Sequence, residues 1–166
     1  MVLVADECRV QTESDTTSIW YPKGKYPTIK VDQTKQALSF YGALNVATGE
    51  CHALDAPRQT SASTVSFLRK LERMYQGKQV LLIWDGAPWH RGEVRQYLKQ
   101  KHKQWQLELI YFPAYSPDLN PQEHVWKQTR KHTTHNSEQG FDDKCLNFYK
   151  YLVQTKFTSN FLQKYA

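Results

Sequence analysis

Cysteine is scarce in this sequence, and long apolar runs are missing. The three cysteines, Cys8, Cys51 and Cys145, lie far apart and form no Cys-x-x-Cys pair. Such an odd, scattered set fits free thiols in a reducing compartment better than a disulfide framework or a zinc site. No stretch approaches the ~18 consecutive apolar residues of a membrane span, and the amino terminus lacks the basic-then-apolar plan of a signal peptide. We therefore expect a soluble, intracellular protein.

The composition indicates one domain with a basic second half. The chain has 166 residues, of which 40% are hydrophobic and 13% aromatic, which is enough for one core. The formal net charge is +6, with 10 basic and 9 acidic residues in 1–90 but 12 and 7 in 91–166. This asymmetry favours a polyanionic partner that binds mainly through the second half. Internal repeats and low-complexity tracts are absent.

The first third of the chain is predicted to be mostly β-structure. The opening run "MVLVADECRV" is typical of a central strand that is buried at its start. Further strands are predicted in "KYPTIKV" and in "ALSFYGALNVATGECHALDA", where Gly49 marks a hairpin turn. These strands are expected to be antiparallel.

Helices and strands alternate in the remainder. The segments predicted are a helix over 61–77, a strand in "KQVLLIWDGAP", a helix in "RGEVRQYLKQKH", a buried strand in "LELIYFPA", a helix in "PQEHVWKQTRKHT" and a last helix over 141–166. Strands joined through helices are expected to be parallel, with helices covering the sheet. The sequence therefore predicts a mixed α/β sheet.

Three acidic residues stand at positions where such a fold places functional groups. Asp6 and Asp85 follow apolar runs, and ligand sites of α/β sheets lie beyond the carboxyl ends of strands. Each has a structural alternative, because Asp85-Gly86 can be a simple turn and Asp6 a solvated acid near a chain start. Glu7 alternates to the other face of the strand, so Asp6 is the candidate of the two.

Glu123 has the strongest structural alternative. Asn120 is a good N-cap, Pro121 suits the first helical position, and an acid at the third position can reach back to the backbone N–H of the cap. Helix capping alone explains a glutamate at this place as well as metal binding does.

The strings around these acids resemble the mariner-like DDE transposases, especially their bacterial insertion-sequence branch. "ADECRV" looks like the first-acid motif, and "WYPKGKYPTIKV" is similar to a segment with Trp, Lys-Gly and Pro. "LLIWDGAPWH" resembles the second-acid motif, although Gly86 stands where Asn is common. "YFPAYSPDLNPQEHVW" resembles the third-acid motif, and 37 residues separate Asp85 from Glu123. The likeness covers nearly the whole chain.

The resemblance implies a ribonuclease H-like fold with a five-stranded mixed sheet flanked by helices. It also implies that Asp6, Asp85 and Glu123 are the catalytic acids and the ligands of two Mg²⁺ ions, with Mn²⁺ as a substitute. Two such ions ~3.5–4 Å apart neutralise the attacking and leaving oxygens of a phosphodiester. Mg²⁺ prefers oxygen ligands, so histidines are not expected to bind it.

Double-stranded DNA, as transposon ends and as target, is the partner that the resemblance implies. Basic residues near the acids, including Lys127, Arg130 and Lys131, are expected to contact phosphates, with a solvated helix face as the alternative. His90 is expected either to contact DNA or to orient its loop. Trp89 and Tyr115 are candidates for stacking on a base or for local packing.

Residues 1–166 are thus expected to form a DDE catalytic domain that cleaves and joins DNA strands at transposon ends. The family's amino-terminal helix-turn-helix region does not fit before Asp6 and is expected to be absent from this chain. By the same resemblance, the protein is expected to act as a homodimer on DNA in a prokaryotic cytoplasm, associated with the nucleoid. The alternatives are a domesticated or inactive DNA-binding remnant and a ribonuclease H-like nuclease of another class.

Overall fold

A computed structural model of the protein describes residues 1–13, 18, 20–25, 28, 34–101, 104–113 and 116–158. In chain order, its elements are β1 (Val2–Gln11), β2 (Ala37–Asn45), β3 (Cys51–Ala56), α1 (Ser61–Met74), β4 (Val80–Trp84), α2 (Glu93–Lys101), β5 (Leu107–Tyr111), α3 (Pro121–Thr133) and α4 (Phe141–Gln154). Short 3-10 turns precede α2 and α3, at Pro88–His90 and Pro117–Leu119.

The five strands form one mixed sheet in the order β3-β2-β1-β4-β5. β1, β2 and β3 pair antiparallel, whereas β4 pairs parallel with β1 and β5 parallel with β4. The predicted succession of three antiparallel strands followed by alternating helices and strands is therefore confirmed. The central position predicted for the first strand is also confirmed.

Helices cover the two faces of the sheet unequally. Alternate residues of β1 enter two separate hydrophobic clusters, one with α1 and α2 and the other with α3 and α4. The cluster of α1 and α2 extends over all five strands, including Leu82 of β4 and Leu109 of β5. α3 and α4 instead pack over β1, β2 and β3.

The prediction that β5 is buried was wrong. Ile110 and Tyr111 are 43% and 51% exposed, and Glu108 is exposed as well. The reason is the position of β5 at the sheet edge, together with the limited coverage by α3 and α4. A short, largely apolar segment cannot by itself distinguish a central strand from an edge strand.

Other predicted segments match in part. The hairpin turn at Gly49 is present, with a positive φ of 73° and a hydrogen bond from its N–H to the carbonyl of Asn45. The last helix ends at Gln154, and residues 159–166 lie outside the described residues, as does most of the strand predicted in "KYPTIKV". Among the described helices, none has the length and apolar character needed to cross a membrane.

The helix α3 lies unusually close to the sheet where it crosses β2. A Cβ added to Gly42 would lie 2.6 Å from Nε2 of Gln122 and closer still to the Trp126 indole. Gly42 therefore gives the space that these two α3 side chains occupy. Because Gly42 is the β2 partner of Asp6, this close approach brings the start of α3 to the centre of β1.

Candidate active site

Asp6 lies in the middle of β1, where the sheet changes its pairing. The parallel pairing with β4 extends over Val2–Val4, whereas the antiparallel pairing with β2 continues to Gln11. From the sequence, Asp6 was expected at the end of an apolar run of β1. In the structure β1 continues past Asp6, and the strand that ends beside it is β4. A site beside the end of a parallel strand, at a change of strand direction, is the usual ligand position in α/β sheets.

The carboxylate of Asp6 is held by three hydrogen bonds. Its Oδ1 accepts from the backbone N–H of Glu7 (2.8 Å), and its Oδ2 accepts from Nδ2 of Asn120 (3.0 Å) and Nε1 of Trp126 (3.3 Å). Two of these donors are the N-cap of α3 and a residue of its second turn, so the helix fixes the orientation of the β1 carboxylate.

Asp6 has an unusual protonation equilibrium. The pKa of its carboxyl group is raised from 3.8 to about 7, mainly because the group is buried. The hydrogen bond from the Glu7 N–H opposes this rise, whereas repulsion from Glu123, Glu7 and Asp85 contributes to it. Asp6 is therefore a carboxylate whose negative charge is disfavoured by the rest of the protein.

Asp85 immediately follows β4, and its carboxylate is half exposed. Oδ1 accepts from the backbone N–H of Ala87 at 3.1 Å and lies 3.2 Å from Nδ1 of His90. The hydrogen bond with His90 lowers the pKa of Asp85, which keeps this acid ionised.

His90 lies beneath the loop rather than on the surface. Its ring stacks on Trp84, with the centroids 4.1 Å apart, and its Nε2 lies 2.9 Å from Oε1 of the buried Glu7. Burial lowers the pKa of His90, but the hydrogen bonds with Asp85 and Glu7 outweigh it and raise the pKa to about 9. His90 is 3% exposed, and its contacts fit the role of orienting the loop.

Glu123 is exposed at the third position of α3. Asn120 caps the helix, because its side chain accepts a hydrogen bond from the N–H of Gln122 at 3.0 Å. The reciprocal half of a capping box is not formed, since the N–H of Asn120 donates to the carbonyl of Pro117 at 2.9 Å. The capping alternative therefore does not account for the glutamate, whose carboxylate is available for another function.

The three predicted acids line one cleft of about 620 Å³. Its wall also contains Arg91, and the remaining lining residues are Gly86, Ala87, Phe112, Pro113, Ser116, Pro117 and Asn120. A different set of possible metal ligands is closer together within the described part of the chain. Its members are Glu7, Asp85 and His90, whose ligand atoms lie within 4.8 Å of one another. Asp6, Asp85 and Glu123 thus share the cleft without such close mutual contact.

Basic residues continue from the cleft along α3. Lys127 and Lys131 are exposed and line a second groove of about 560 Å³ on the same helix. Arg130 is partly buried and donates a hydrogen bond to the carbonyl of Arg9 at 3.0 Å. These cations follow Glu123 along α3 by one to two helical turns, outside the lining of the acidic cleft.

Of the two aromatic candidates, Trp89 packs edge-on against His90, with the ring centroids 6.2 Å apart. This contact fits local packing. Tyr115 lies outside the described residues.

Sequence reasoning missed three residues that hold the acids. Asn120 was interpreted as a cap and Trp126 as a motif residue, but both also donate to Asp6. Glu7 was set aside because strand alternation turns it away from Asp6, which is correct, yet it contacts the loop that carries Asp85 through His90. The signal that could have identified Glu7 is its place as an acidic residue in a strand predicted to be buried.

Comparison with known proteins agrees with this architecture. Residues 1–144 match the DDE superfamily endonuclease family, and the chain belongs to that family. It is 26% identical over 139 residues to an uncharacterized 39 kDa protein of insertion element IS630 from Shigella sonnei, which covers 82% of this chain and 40% of that protein. The Tcb2 transposase of Caenorhabditis briggsae is 29% identical over 80 residues, or 45% of this chain and 28% of that protein.

Solved structures give the same fold. The Mos1 strand transfer complex matches 98% of this chain and 49% of its own, with a TM-score of 0.69 and 16% identity. The catalytic domain of Mos1 mariner transposase matches 98% of this chain and 74% of its own, with a TM-score of 0.59 and 17% identity. The predicted ribonuclease H-like fold is confirmed. The chain spans less than half the length of the two relatives matched by sequence.

Proposed function

We propose that this chain is the catalytic domain of a DDE transposase, which cleaves DNA at transposon ends and joins the 3′-hydroxyl to target DNA. The observation that carries the proposal is the convergence of Asp6, Asp85 and Glu123 on one cleft from β1, the end of β4 and the start of α3. Membership of an endonuclease family and the likeness to transposases support it.

The donor set of the cleft suits a divalent cation. All three acids offer carboxylate oxygens, which Mg²⁺ and Mn²⁺ prefer. Burial and, to a smaller extent, repulsion from the other acids raise the pKa of Asp6, and a bound cation would relieve that repulsion. Structures of the Mos1 paired-end complex with Mn and with Mg support divalent metal use. We propose that Asp6, Asp85 and Glu123 would together hold two such ions.

When bound, the metal ions would supply charge neutralisation at the attacking and leaving oxygens of the phosphodiester. The protein's part is to hold the three carboxylates in place. Asn120 and Trp126 fix the orientation of Asp6, and the Ala87 N–H fixes one oxygen of Asp85. Arg91, as a cation in the wall of the acidic cleft, is placed to bind a phosphate of the strand.

DNA is the proposed partner, with Lys127 and Lys131 as exposed phosphate contacts and Arg130 beside them. Paired-end and strand transfer complexes of Mos1 support an assembly on two DNA ends, for which we propose a homodimer. The bacterial insertion-element relative supports action in a bacterial cytoplasm. We propose that the natural protein combines this catalytic domain with DNA-binding modules.

Metal-dependent nicking of supercoiled DNA tests the proposal. The wild-type chain, joined to DNA-binding modules if it is inactive alone, should nick in Mg²⁺ or Mn²⁺ and not in a chelator. Asp85→Asn should reduce nicking by orders of magnitude, because the amide removes a charge that the metal needs. Asp118→Asn is the matched control, since this exposed acid in the turn before α3 does not line the cleft. Equal nicking by Asp85→Asn and wild type would refute the proposal.

A further inference from the structure

The carboxylate of Glu7 has no part in the function proposed above, yet it is one of the most enclosed charges in the protein. Its side chain is 6% exposed, and it points to the face of the sheet opposite Asp6. A buried carboxylate is costly unless a partner compensates it. The partner here is Nε2 of His90, at 2.9 Å from Oε1.

The other ring nitrogen of His90 contacts Asp85. Its Nδ1 lies 3.0 Å from the backbone carbonyl oxygen of Asp85 and 3.2 Å from Oδ1 of the same residue. Both are acceptors, so Nδ1 carries a hydrogen. The ring itself has little freedom to rotate, because it lies flat on Trp84, with an interplanar angle of 5°.

The contacts to the Asp85 side chain all involve one carboxylate oxygen, and this side chain is half exposed and lines the cleft. Oδ1 is used by both His90 and the Ala87 N–H. Among the residues that the structure describes, none hydrogen-bonds to Oδ2. The loop after β4 is therefore fixed at the backbone and at one carboxylate oxygen, while the other oxygen stays available.

We infer that Glu7 is a positioning residue of the metal site: through His90, it fixes Asp85 so that Oδ2 faces the cleft. This inference rests on the proposed function, because it assumes that Asp85 holds a metal ion. Two adjacent residues of β1 then contribute to the metal site. Asp6 acts directly from one face of the strand, and Glu7 acts on Asp85 from the other.

A purely structural ion pair predicts something different. In that case, loss of Glu7 would lower the melting temperature without changing the affinity of the folded protein for metal. Positioning predicts a loss of metal affinity in protein that is still folded. Removal of a hydrogen-bonding partner behind a metal ligand typically costs 10–100-fold in affinity.

The test is the dissociation constant for Mn²⁺ alone, measured on the folded chain by titration calorimetry or electron paramagnetic resonance, without DNA. Glu7→Ala and His90→Ala should each weaken binding by ~10-fold or more. The double variant should bind no more weakly than His90→Ala, because Glu7 acts only through His90. Glu7→Gln, whose amide oxygen can still accept from Nε2, should stay close to wild type and should remain folded if Glu7→Ala does not.

Glu72→Ala is the matched control for stability. Glu72 is also a partly buried acid, which accepts from Tyr97 and pairs with Lys101 at 3.0 Å, away from the cleft. The variant at Glu72 should lose stability while retaining the affinity of the chain for Mn²⁺. Wild-type affinity in folded Glu7→Ala, or losses that add up fully in the double variant, would overturn the inference.

Asp85→Asn separates this failure from failure of the proposed function. If Asp85→Asn loses Mn²⁺ and Glu7→Ala does not, only the positioning role is wrong. If Asp85→Asn binds Mn²⁺ like wild type, the metal site itself is wrong.

Discussion

The side chain of Asn120 donates a hydrogen bond to Oδ2 of Asp6 over 3.0 Å, although the two residues are 114 positions apart. The same side chain accepts from the N–H of Gln122 and so caps α3. One amide therefore joins the start of the helix that carries Glu123 to the strand that carries Asp6. Its two functions can be separated by substitution.

Asn120→Asp should keep the cap but lose the donor to Asp6. The new carboxylate still accepts from Gln122, but it faces the Asp6 carboxylate and raises the pKa of Asp6 further. In metal-free buffer, the variant should melt below wild type, by more at pH 8 than at pH 5, where Asp6 is protonated. Thermal melting at both pH values measures this. Asn120→Ala loses the cap, at about 0.5–2 kcal/mol, with a weaker dependence on pH.

The raised pKa of Asp6 predicts how metal-free stability changes with pH. The native carboxyl keeps its proton up to about pH 7, whereas the unfolded one releases it near 3.8. The stability that this proton contributes is fully present below 3.8 and is lost as the pH rises through 7. Asp6→Asn should flatten the fall in unfolding free energy between pH 4 and pH 8. An unchanged slope in this variant would contradict the raised pKa.

Metal should have the opposite pH dependence. Because a cation competes with the proton of Asp6, Mg²⁺ should raise the melting temperature more at pH 8 than at pH 5. In Asp6→Asn this stabilisation should be small at both pH values.

Glu123→Gln should retain stability and lose activity. The amide removes repulsion of Asp6 and breaks no capping box, so the metal-free variant should melt at or slightly above the wild-type temperature. Nicking should fall by orders of magnitude, because the amide lacks the charge that the metal requires. Paired melting and nicking assays decide this, with Glu123→Ala beside them. Wild-type nicking by Glu123→Gln would remove this residue from the site.

Gly42→Ala should disturb the site through β2, the strand that pairs with β1 at Asp6. The added methyl group would overlap Gln122 and Trp126, so α3 must shift away from the sheet. Overpacking of this kind costs about 1–3 kcal/mol, and here it would also weaken the Trp126 contact with Asp6. Gly140→Ala is the control, because its Cβ would meet nothing within 4 Å. Chemical denaturation and Mn²⁺ affinity should both change in Gly42→Ala. In Gly140→Ala, which only weakens the N-cap of α4, Mn²⁺ affinity should stay near wild type.

Binding of the chain to duplex DNA should be weak and nearly indifferent to sequence, because phosphate contacts carry no sequence information. Lys127→Ala and Lys131→Ala should each reduce the slope of log K against log salt by ~1 if the lysine contacts a phosphate. Fluorescence anisotropy over a salt series gives the slope. Lys78→Ala is the control, since Lys78 precedes β4 at the end of the strand away from Asp85. A marked preference for one duplex sequence would contradict this account.

The order of the elements and the positions of the three acids follow from local sequence patterns. Local patterns were sufficient, because the alternation in β1, the Asn-Pro start of α3 and the Asp-Gly turn after β4 depend on near neighbours. The motif strings added the family and its expected chemistry. Strand alternation alone also predicts that the side chains of Glu7 and Asp6 lie on opposite faces of the sheet.

The surroundings of those acids depend on contacts between distant parts of the chain. Strand alternation gives the face on which Glu7 lies, but not that the loop after β4 places His90 there. The pattern of α3 identifies Asn120 as a cap, but the second contact of its amide depends on how close Gly42 lets the helix approach. The exposure of β5 likewise depends on which strands the helices cover. Each of these features is set by packing between segments far apart in the chain, which local periodicity does not encode.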